Sequence, residues 1–510
     1  MQTTRQLDIL FVHPNASKKI YQDLSNKHSA IEPPIWAAML ANHCRSKGFG
    51  SNILDCEAER LTTDQSAKMI VDINPKVACF VVYGQQPSAS SQNMEGATAT
   101  SKLVKQLNPE LKIMFVGGHV AALPREVLRD EDSIDYICQN EGVYTISNFL
   151  RASRESKNPD ISSIRGIGYR DKEGNPILNE TERIVAQEEL EHELPGMAWD
   201  LLPDIKKYRT AGWHSWTNNS EKEPFAALYT SLGCPFKCGF CMINIINRTD
   251  NSPNIASNKS SVFRHWSPEY MIGQFDKIAE MGVKNVKIAD ELFVLNPSHF
   301  LKLCDLIKER GYDFNMWAYS RIDTCKPKYL QALKEAGVNW LGLGIENPDQ
   351  TLRKEIHKGH YKEVRIDSIL DDMRAADINI AANYIFGLPM DTEESMKNTL
   401  DFAVEQNTEM VNFYSAMAYP GSPLHVQARQ SGLRLPDTYV GYSQHAYEAQ
   451  NLPTENLSAG EILRFRDHAW MKYHTNEKYL DLLETKFGVK ARQNLEETSK
   501  IKLKRRLLGD

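Results

Sequence analysis

The first 150 residues alternate short apolar runs with longer segments in which apolar residues recur at helical spacing. The runs predict buried strands, whereas segments such as 35–48 and 97–108 predict amphipathic helices. Continuous apolar strands that alternate with helices are typical of a parallel, doubly wound sheet, so we predict a Rossmann-like domain at 1–150. The predicted strands are 7–13, 51–55, 77–84, 112–118 and 135–140.

The ends of these predicted strands supply candidate ligand-binding residues, because doubly wound sheets bind ligands at the carboxyl ends of their strands. Paired glycines after a buried strand let a bulky ligand approach the backbone, although a tight turn explains an isolated pair at least as well. No GxGxxG segment follows the first strand, so a nicotinamide dinucleotide site is not supported. The candidate positions include Pro14, Gly84, Gln85, Gly117, Gly118, His119, Glu141 and Gly142.

A second repeat of strand and helix patterns fills residues 221–430 and predicts a partial (β/α)6 barrel. Three of its helices begin at a proline (Pro268, Pro297 and Pro327) and stop at a glycine, which suits the unpaired first turn and the left-handed position after the last turn. Barrel active sites lie at the carboxyl ends of the strands. The predicted strands are 226–233, 285–292, 315–322, 340–346, 378–387 and 410–419.

Two further regions flank the barrel. Residues 151–220 are charged and rich in turn residues, and they predict a linker with a small hairpin at 164–179. Residues 431–510 predict a helical C-terminal region that packs on the barrel through Ile462, Phe465, Ala469 and Tyr473. We expect its basic end, 500–510, to be a solvated, frayed helix.

Composition and charge narrow the functional classes. The chain has 510 residues, 41% of them hydrophobic, and a net charge of -6, which argues against a nucleic-acid-binding surface because such a surface needs a Lys/Arg excess. We expect no signal peptide and no membrane span, since no apolar run has the required length. Nine cysteines, an odd and mostly scattered set, fit a reducing cytoplasm better than a disulfide framework. No sequence feature indicates an oligomeric state.

Three cysteines lie within eight residues of the segment SLGCPFKCGFCMINIINR, 231–248. A structural zinc site would need a fourth ligand at suitable spacing, and the nearest downstream histidine, His265, is 24 residues beyond Cys241. Catalytic zinc usually takes other ligand sets, and chance clustering is improbable for nine cysteines in 510 residues. An iron–sulfur cluster takes about one thiolate per iron, so Cys234, Cys238 and Cys241 would leave one iron of a 4Fe-4S cluster open.

CxxxCxxC after the first strand of a six-unit barrel resembles the radical S-adenosylmethionine (radical SAM) superfamily, and the resemblance covers about 221–430. It implies a 4Fe-4S cluster on the three cysteines and S-adenosylmethionine (SAM) on the open iron, where an electron cleaves SAM to a 5′-deoxyadenosyl radical. The segments IADELFVLNP, AYSRIDTC, GLGIENPDQ and YIFGLPMDT resemble those that bind SAM in this superfamily. The resemblance implies Asp290 or Glu291 at the SAM amino group, Ser320 and Arg321 at its carboxylate, Glu346 at the ribose and Gly387 at the adenine.

A doubly wound domain ahead of this barrel resembles the cobalamin-dependent class of the superfamily. Gly117–Gly118–His119 and Glu141–Gly142 stand where that class has its GG and EG segments. The resemblance therefore implies cobalamin at the strand-end positions named above. The DxHxxG motif that supplies an axial histidine in some cobalamin proteins is absent, because the segment after the first strand is HPNASKK. No histidine ligand from that motif is expected.

These resemblances predict a cytoplasmic, cobalamin-dependent radical SAM enzyme that methylates an unactivated carbon of a small-molecule substrate. They also imply an external electron donor of the flavodoxin or ferredoxin type. A radical cyclisation, rearrangement or oxidation with the same cofactors is an alternative, because substrate pose and not a motif decides the reaction. A non-catalytic corrinoid- or SAM-binding sensor is a second alternative, which the intact cysteine triad and the carboxylates at the barrel mouth disfavour.

Overall fold

A computed structural model describes residues 6–84, 89–156, 158–211, 222–250, 252, 256–356 and 365–510. The described residues form two large sheets, one of seven strands and one of six, and a separate two-stranded ribbon. Helices cover both sheets and continue to the C-terminal end.

The first sheet begins with the five parallel strands that the sequence predicts, in the order β2-β1-β3-β4-β5. Their apolar side chains are buried on both faces, as expected of a sheet that is covered by helices on each side. The strands are β1 Ile9–His13, β2 Ser51–Asp55, β3 Val77–Val81, β4 Lys112–Val116 and β5 Tyr136–Cys138. The helices are α1 Ser17–Tyr21, α2 Ile35–Ser46, α3 Thr63–Ile73, α4 Ala89–Leu107, α5 Gly118–Ala122, α6 Pro124–Asp130 and α7 Val143–Glu155.

The predicted hairpin forms, and it extends the first sheet. Its strands are β6 Ile167–Arg170 and β7 Pro176–Leu178, and β6 pairs antiparallel with β5. The turn is held by Asp171, whose carboxylate accepts hydrogen bonds from the backbone of Glu173 and Asn175. The hairpin predicted for the linker is therefore the edge of the first sheet. A short helix, α8 Leu190–Glu193, follows it.

The second sheet has six parallel strands in the order β15-β14-β13-β12-β11-β8. This is the predicted partial barrel, and its two edge strands, β8 and β15, are not paired with each other. The strands are β8 Phe225–Leu228, β11 Asn285–Ile288, β12 Asn315–Arg321, β13 Val338–Glu346, β14 Asn379–Phe386 and β15 Met410–Ser415. The gap between β8 and β15 is the open edge of the barrel.

The predicted strand at 226–233 divides into two strands with different partners. Its first half is β8, whereas its second half, β9 Ser231–Gly233, pairs antiparallel with β10 Phe263–His265 outside the barrel. The division follows from Asp290, which accepts hydrogen bonds from the backbone N–H and the hydroxyl of Thr230 at 2.6 Å each. That N–H is thereby withdrawn from the barrel ladder, and the chain turns away across the barrel mouth.

The barrel helices begin and end where their proline and glycine residues predict. Pro268, Pro297 and Pro327 each open a helix, and Gly311 closes one with φ +69°. Ser267 caps the first of these helices by accepting a hydrogen bond from the backbone N–H of Tyr270. The helices are α9 Pro268–Glu280, α10 Pro297–Arg310, α11 Pro327–Glu335, α12 Gln350–Glu355, α13 Ile366–Ala375, α14 Glu393–Gln406 and α15 Pro423–Gln430.

Three helices form the C-terminal region, namely α16 Ala459–His474, α17 Glu477–Phe487 and α18 Val489–Ser499. α16 packs on the open edge of the barrel, where Arg466 Nε donates to the Phe413 carbonyl at 2.8 Å and Tyr473 Oη donates to the Thr408 carbonyl at 2.7 Å. The prediction that the basic end, 500–510, is a solvated, frayed helix is wrong. Arg505 is buried and donates to both carboxylate oxygens of Asp467 at 2.9 Å, which fixes the end of the chain against α16.

Candidate active site between the two sheets

The cysteine loop follows β9 at the mouth of the barrel, as predicted. Cys238 is buried, whereas Cys234 and Cys241 are half-buried. The loop is anchored through backbone groups: Asn244 accepts from the Cys234 N–H at 3.1 Å and donates to its carbonyl at 2.7 Å. The hydroxyl of Ser257 donates to the Cys241 carbonyl at 2.6 Å. The side chains of Asn244 and Ser257 therefore hold the backbone of the loop in place.

The donor set of this loop fits a 4Fe-4S cluster. Three thiols on one short loop match a cluster in which each cysteine binds a different iron. In the described ranges, no three Cys, His, Asp or Glu side chains are arranged to hold a single metal ion. Arg321 lies beside the loop, and its Nη1 donates to Cys238 Sγ at 3.7 Å.

The two carboxylates after β11 have different surroundings. Asp290 is fully buried and accepts hydrogen bonds from Thr230 and from the Ser231 hydroxyl, so it connects the ends of β8 and β11. Burial raises the pKa of Asp290. Glu291 accepts a hydrogen bond from the Gly233 N–H at 3.0 Å, directly before Cys234, and burial raises its pKa to about 8. Of the two carboxylates, Glu291 therefore lies next to the cysteine loop.

Ser320 and Arg321 end β12 at the same mouth. Both are buried, and the Ser320 hydroxyl donates to the Arg321 carbonyl at 3.0 Å. The guanidinium of Arg321 donates through Nε and Nη2 to the two carboxylate oxygens of Asp323, at 2.9 and 3.0 Å. The guanidinium carbon, Cζ, lies 3.7 Å from the ring centre of Phe236, a residue of the cysteine loop. Arg321 thus contacts both the end of β12 and the cysteine loop.

Glu346 and Gly387 end the two neighbouring strands. Glu346 is buried with φ +65°, a left-handed conformation that costs a non-glycine residue about 1–2 kcal/mol. Such strain at a strand end is typical of functional sites. Gly387 has φ +76°, and an added Cβ would lie 2.7 Å from Ile462 Cγ2 on α16. Backbone conformation and packing therefore explain this glycine, and its contact with adenine stays a prediction.

A cavity of about 610 Å³ lies along the open edge of the barrel. Its volume is within the range of roughly 300–1,000 Å³ that is typical of small-molecule sites. The strand ends of the first sheet form one wall, the barrel edge forms a second, and the C-terminal helices form a third. Lining residues include His13, Pro14, Tyr83 and Gly84 from the first sheet, Tyr229, Asn412 and Tyr414 from the barrel, and Arg466, His474 and Thr498 from the C-terminal region.

Aromatic and charged side chains both line the cavity. Trp36 and Tyr83 stack with ring centres 4.4 Å apart. Lys287, inside the barrel, pairs with Glu32 of the first domain at 3.1 Å. Burial alone would lower the pKa of Lys287, but the charge of Glu32 raises it above its ordinary value. The cavity therefore joins an aromatic surface to a charged pair that spans the two domains.

His13 contributes a second charged pair to this cavity. Its Nε2 lies 3.5 Å from Glu57 Oε2, and Asp55 is close by at the end of β2. Burial would lower the pKa of His13, but the hydrogen bond to Glu57 and the two carboxylate charges raise it. Asp55 itself is buried and accepts a hydrogen bond from Tyr208 Oη at 2.9 Å.

The structure places the predicted cobalamin residues in two groups. Pro14 and Gly84 line the cavity, and Gln85 lies outside the described residues. Gly117 follows β4 with φ +153°, and an added Cβ would lie 2.4 Å from the Val82 carbonyl oxygen. Gly118 opens α5, and an added Cβ would lie 3.0 Å from Met242, the residue after Cys241. The glycine pair thus packs between β3 and the cysteine loop.

The other predicted cobalamin residues make contacts within the protein. His119 is buried, its Nδ1 lies 2.8 Å from Ser91 Oγ, and burial lowers its pKa to about 3, so the ring is neutral. Gly142 has φ +83° and packs against Val116. Glu141 is 1% exposed and pairs with Arg264 of β10 at 2.8 Å. The roles of these residues toward cobalamin stay predictions.

Some residues of this site carry no sequence motif. Arg264 belongs to a ribbon that the sequence pattern does not predict, so nothing in the sequence indicates its pairing with Glu141. For Lys287 the sequence does indicate a partner, because a charged residue inside the apolar strand NVKI is unusual unless it is paired. Its partner Glu32 lies 255 positions away in the chain, and only the tertiary fold brings the two together.

Comparison with known proteins identifies the first domain and the barrel separately. A family model for the B12 binding domain matches residues 23–150, and a model for the radical SAM superfamily matches residues 228–403. An uncharacterized methyltransferase of Pyrococcus horikoshii is 28% identical over 451 residues, which are 88% of this chain and 89% of that protein. The anaerobic magnesium-protoporphyrin IX monomethyl ester cyclase of Rubrivivax gelatinosus is 23% identical over 491 residues, which are 94% of this chain and 79% of that protein.

A solved structure shares the fold. The cobalamin-dependent S-adenosylmethionine radical enzyme OxsB, with aqua-cobalamin and S-adenosylmethionine bound, superposes with a TM-score of 0.67 at 17% identity. The superposition covers 97% of this chain and 71% of that chain.

The chain is a radical SAM enzyme that carries a B12-binding domain, and the predicted class and α/β fold are confirmed. The two domains imply a 4Fe-4S cluster, SAM and cobalamin as cofactors, as predicted. Among the residues that the structure describes, no helix is long and apolar enough to span a membrane.

Proposed function

We propose that this protein is a cobalamin-dependent radical SAM methyltransferase that methylates an unactivated carbon of a small molecule. The carrying observation is the cavity of about 610 Å³, which adjoins both the strand ends of the B12-binding domain and the open edge of the radical SAM barrel. A substrate in this cavity would lie between the two domains. Relatedness to a named methyltransferase over 88% of the chain supports the same reaction.

Cys234, Cys238 and Cys241 hold the cluster in this proposal. Bound cluster and SAM supply radical chemistry through reductive cleavage of SAM, and bound cobalamin supplies a carrier of methyl groups. Glu291 accepts from the amino group of SAM, since it bonds the residue directly before Cys234. Glu346 accepts from the ribose hydroxyls, and its left-handed backbone conformation at the end of β13 supports a functional role. Asp290 orients the loop, because its oxygens are bonded to Thr230 and Ser231.

Cobalamin binds in this proposal at the first-sheet wall of the cavity. Pro14 and Gly84 contact it directly, and the stacked pair of Trp36 and Tyr83 offers an apolar surface. Helices of the C-terminal region cover the opposite side, which excludes water from a site where reactive species form.

We place the enzyme in the cytoplasm with an external one-electron donor of the flavodoxin or ferredoxin type. None of the nine cysteines, all of which lie in the described ranges, forms a disulfide, which suits a reducing compartment. In this proposal a partner protein supplies the low-potential electron that reduces the cluster.

The test is anaerobic reconstitution with iron, sulfide and cobalamin. The reconstituted protein is then incubated with methyl-deuterated SAM and a small-molecule extract of the cells in which this protein naturally occurs. Mass spectrometry should find a deuterium-labelled product together with both 5′-deoxyadenosine and S-adenosylhomocysteine. Cys238→Ala should abolish labelling, whereas Cys325→Ala, a buried cysteine outside the loop, should not. If neither nucleoside product forms with the reconstituted protein, the enzymatic proposal fails.

A second candidate is a radical cyclisation or oxidation without net methyl transfer. The observation that favours it is the relative named as an anaerobic cyclase, which aligns over 94% of this chain. In the same experiment this reaction would give 5′-deoxyadenosine and an unlabelled, dehydrogenated product, without S-adenosylhomocysteine.

A further inference from the structure

The guanidinium of Arg321 is held from three sides beside the cysteine loop. Arg321 is 2% exposed, and its Nε and Nη2 donate to both oxygens of Asp323 at 2.9 and 3.0 Å. Its guanidinium carbon, Cζ, lies over the ring of Phe236, 3.7 Å from the ring centre. The remaining nitrogen, Nη1, donates to Cys238 Sγ at 3.7 Å. A hydrogen bond of this kind to sulfur is long but within the usual range for a large, polarisable acceptor.

The backbone around Arg321 fixes this arrangement. Thr324 Oγ1 accepts from the Arg321 N–H at 3.2 Å, and the N–H groups of Thr324 and Cys325 donate to the Arg321 carbonyl. A bidentate pair with a carboxylate further restricts the orientation of a guanidinium. Phe236 and Cys238 belong to the same loop, so the guanidinium contacts this loop at both the ring and the sulfur. The N–H···S contact is therefore set by the fold and not by a freely rotating side chain.

We propose that Arg321 raises the reduction potential of the cluster through this contact. Reduction adds one electron, taken from the external donor, and neither forms nor breaks a bond to the protein. A positive charge and an N–H···S bond at a ligand sulfur both stabilise the additional negative charge. The carboxylate of Asp323 opposes this effect while it holds Arg321 in place. The inference rests on Cys238 as a cluster ligand and is independent of methyl transfer.

The test is a redox titration of the anaerobically reconstituted protein, followed by electron paramagnetic resonance of the reduced cluster, without substrate. Arg321→Met removes the charge at similar side-chain length and should shift the midpoint potential to a more negative value. Arg321→Lys should give an intermediate value, and Asp323→Asn should shift the potential in the positive direction. Arg45→Met is the matched control, because Arg45 also pairs bidentately with an aspartate, Asp200, but in the first domain.

Midpoint potentials that shift in opposite directions in the arginine and aspartate variants distinguish a charge effect from general disturbance of the site. A general disturbance would shift both potentials in the same direction. Iron and sulfide content is measured for each variant, and only samples with a full cluster are compared. If Arg321→Met does not retain a cluster, Arg321→Lys and Asp323→Asn decide the question. Unchanged potentials, or shifts of the same sign in Arg321→Met and Asp323→Asn, would overturn the proposal. Methyl transfer can fail or succeed without affecting this result.

Discussion

Glu141→Gln should strongly destabilise the protein, because it breaks a buried ion pair between the two domains. Glu141 and Arg264 are 1% and 3% exposed, and their oxygen and nitrogen lie 2.8 Å apart. The other oxygen of Glu141 accepts from the Val185 N–H at 2.6 Å, and Arg264 donates to the Val185 carbonyl at 2.6 Å. The glutamine amide would face the guanidinium with a second donor, which leaves a buried charge without compensation. Such a loss costs about 3–5 kcal/mol.

The assay is urea unfolding of the cofactor-free protein, followed by both circular dichroism and tryptophan fluorescence. Glu59→Gln is the matched control, since Glu59 pairs with Lys207 on the surface and should change stability by no more than ~1 kcal/mol. The double variant Glu141→Met with Arg264→Met should recover part of the loss, because no charge is left buried. A loss below about 1 kcal/mol for Glu141→Gln would refute the reasoning from burial and geometry.

Three further predictions concern the same site. Cys238→Ala should lose iron and sulfide on anaerobic reconstitution, whereas Cys325→Ala should keep both; equal metal content in the two variants would exclude the loop as the cluster site. Gly117→Ala places a methyl group against the backbone of β3, so its unfolding free energy should fall about 1–3 kcal/mol further than that of Gly174→Ala, which has positive φ but open space; an equal loss would argue against close packing. The raised pKa of His13 implies stability that is complete below about pH 6.5 and is lost as pH rises through the raised value; His13→Gln should flatten this part of the pH–stability profile measured by urea unfolding, and an unchanged slope would contradict it.

Much of the fold is predictable because local patterns and tertiary packing agree. Continuous apolar strands predict a sheet that is covered on both faces, and the strands of the first sheet lie where the pattern places them. The three proline-initiated helices of the barrel likewise begin at Pro268, Pro297 and Pro327. In both cases each residue has the same preference locally and in the folded protein.

The sequence pattern failed where long-range partners decide the structure. Apolar alternation predicts one strand at 226–233, but hydrogen bonds from Thr230 and Ser231 to Asp290 divide it. The basic C-terminal end was expected in solvent, yet Arg505 pairs with Asp467 and is buried. In each case one carboxylate that is distant in the chain binds the segment and fixes its position. The spacing of residues within the segment does not indicate that partner.

At the candidate site, too, the sequence predicts local motifs but not contacts between distant residues. The cysteine spacing predicts a cluster loop directly, because all three candidate ligands lie within one segment. The EG segment predicts a cobalamin contact, which stays a prediction, and it gives no sign of the bond between the Glu141 carboxylate and Arg264 of β10. The cavity wall formed by Lys287 and Glu32 joins residues from both domains, so no local motif describes it.

The most direct test of the account is anomalous diffraction at the iron and cobalt absorption edges, from crystals of protein reconstituted anaerobically with iron, sulfide and cobalamin. We predict iron beside Cys234, Cys238 and Cys241, and cobalt in the cavity between the first sheet and the open edge of the barrel. Iron absent from the cysteine loop, or cobalt bound outside this cavity, would contradict it.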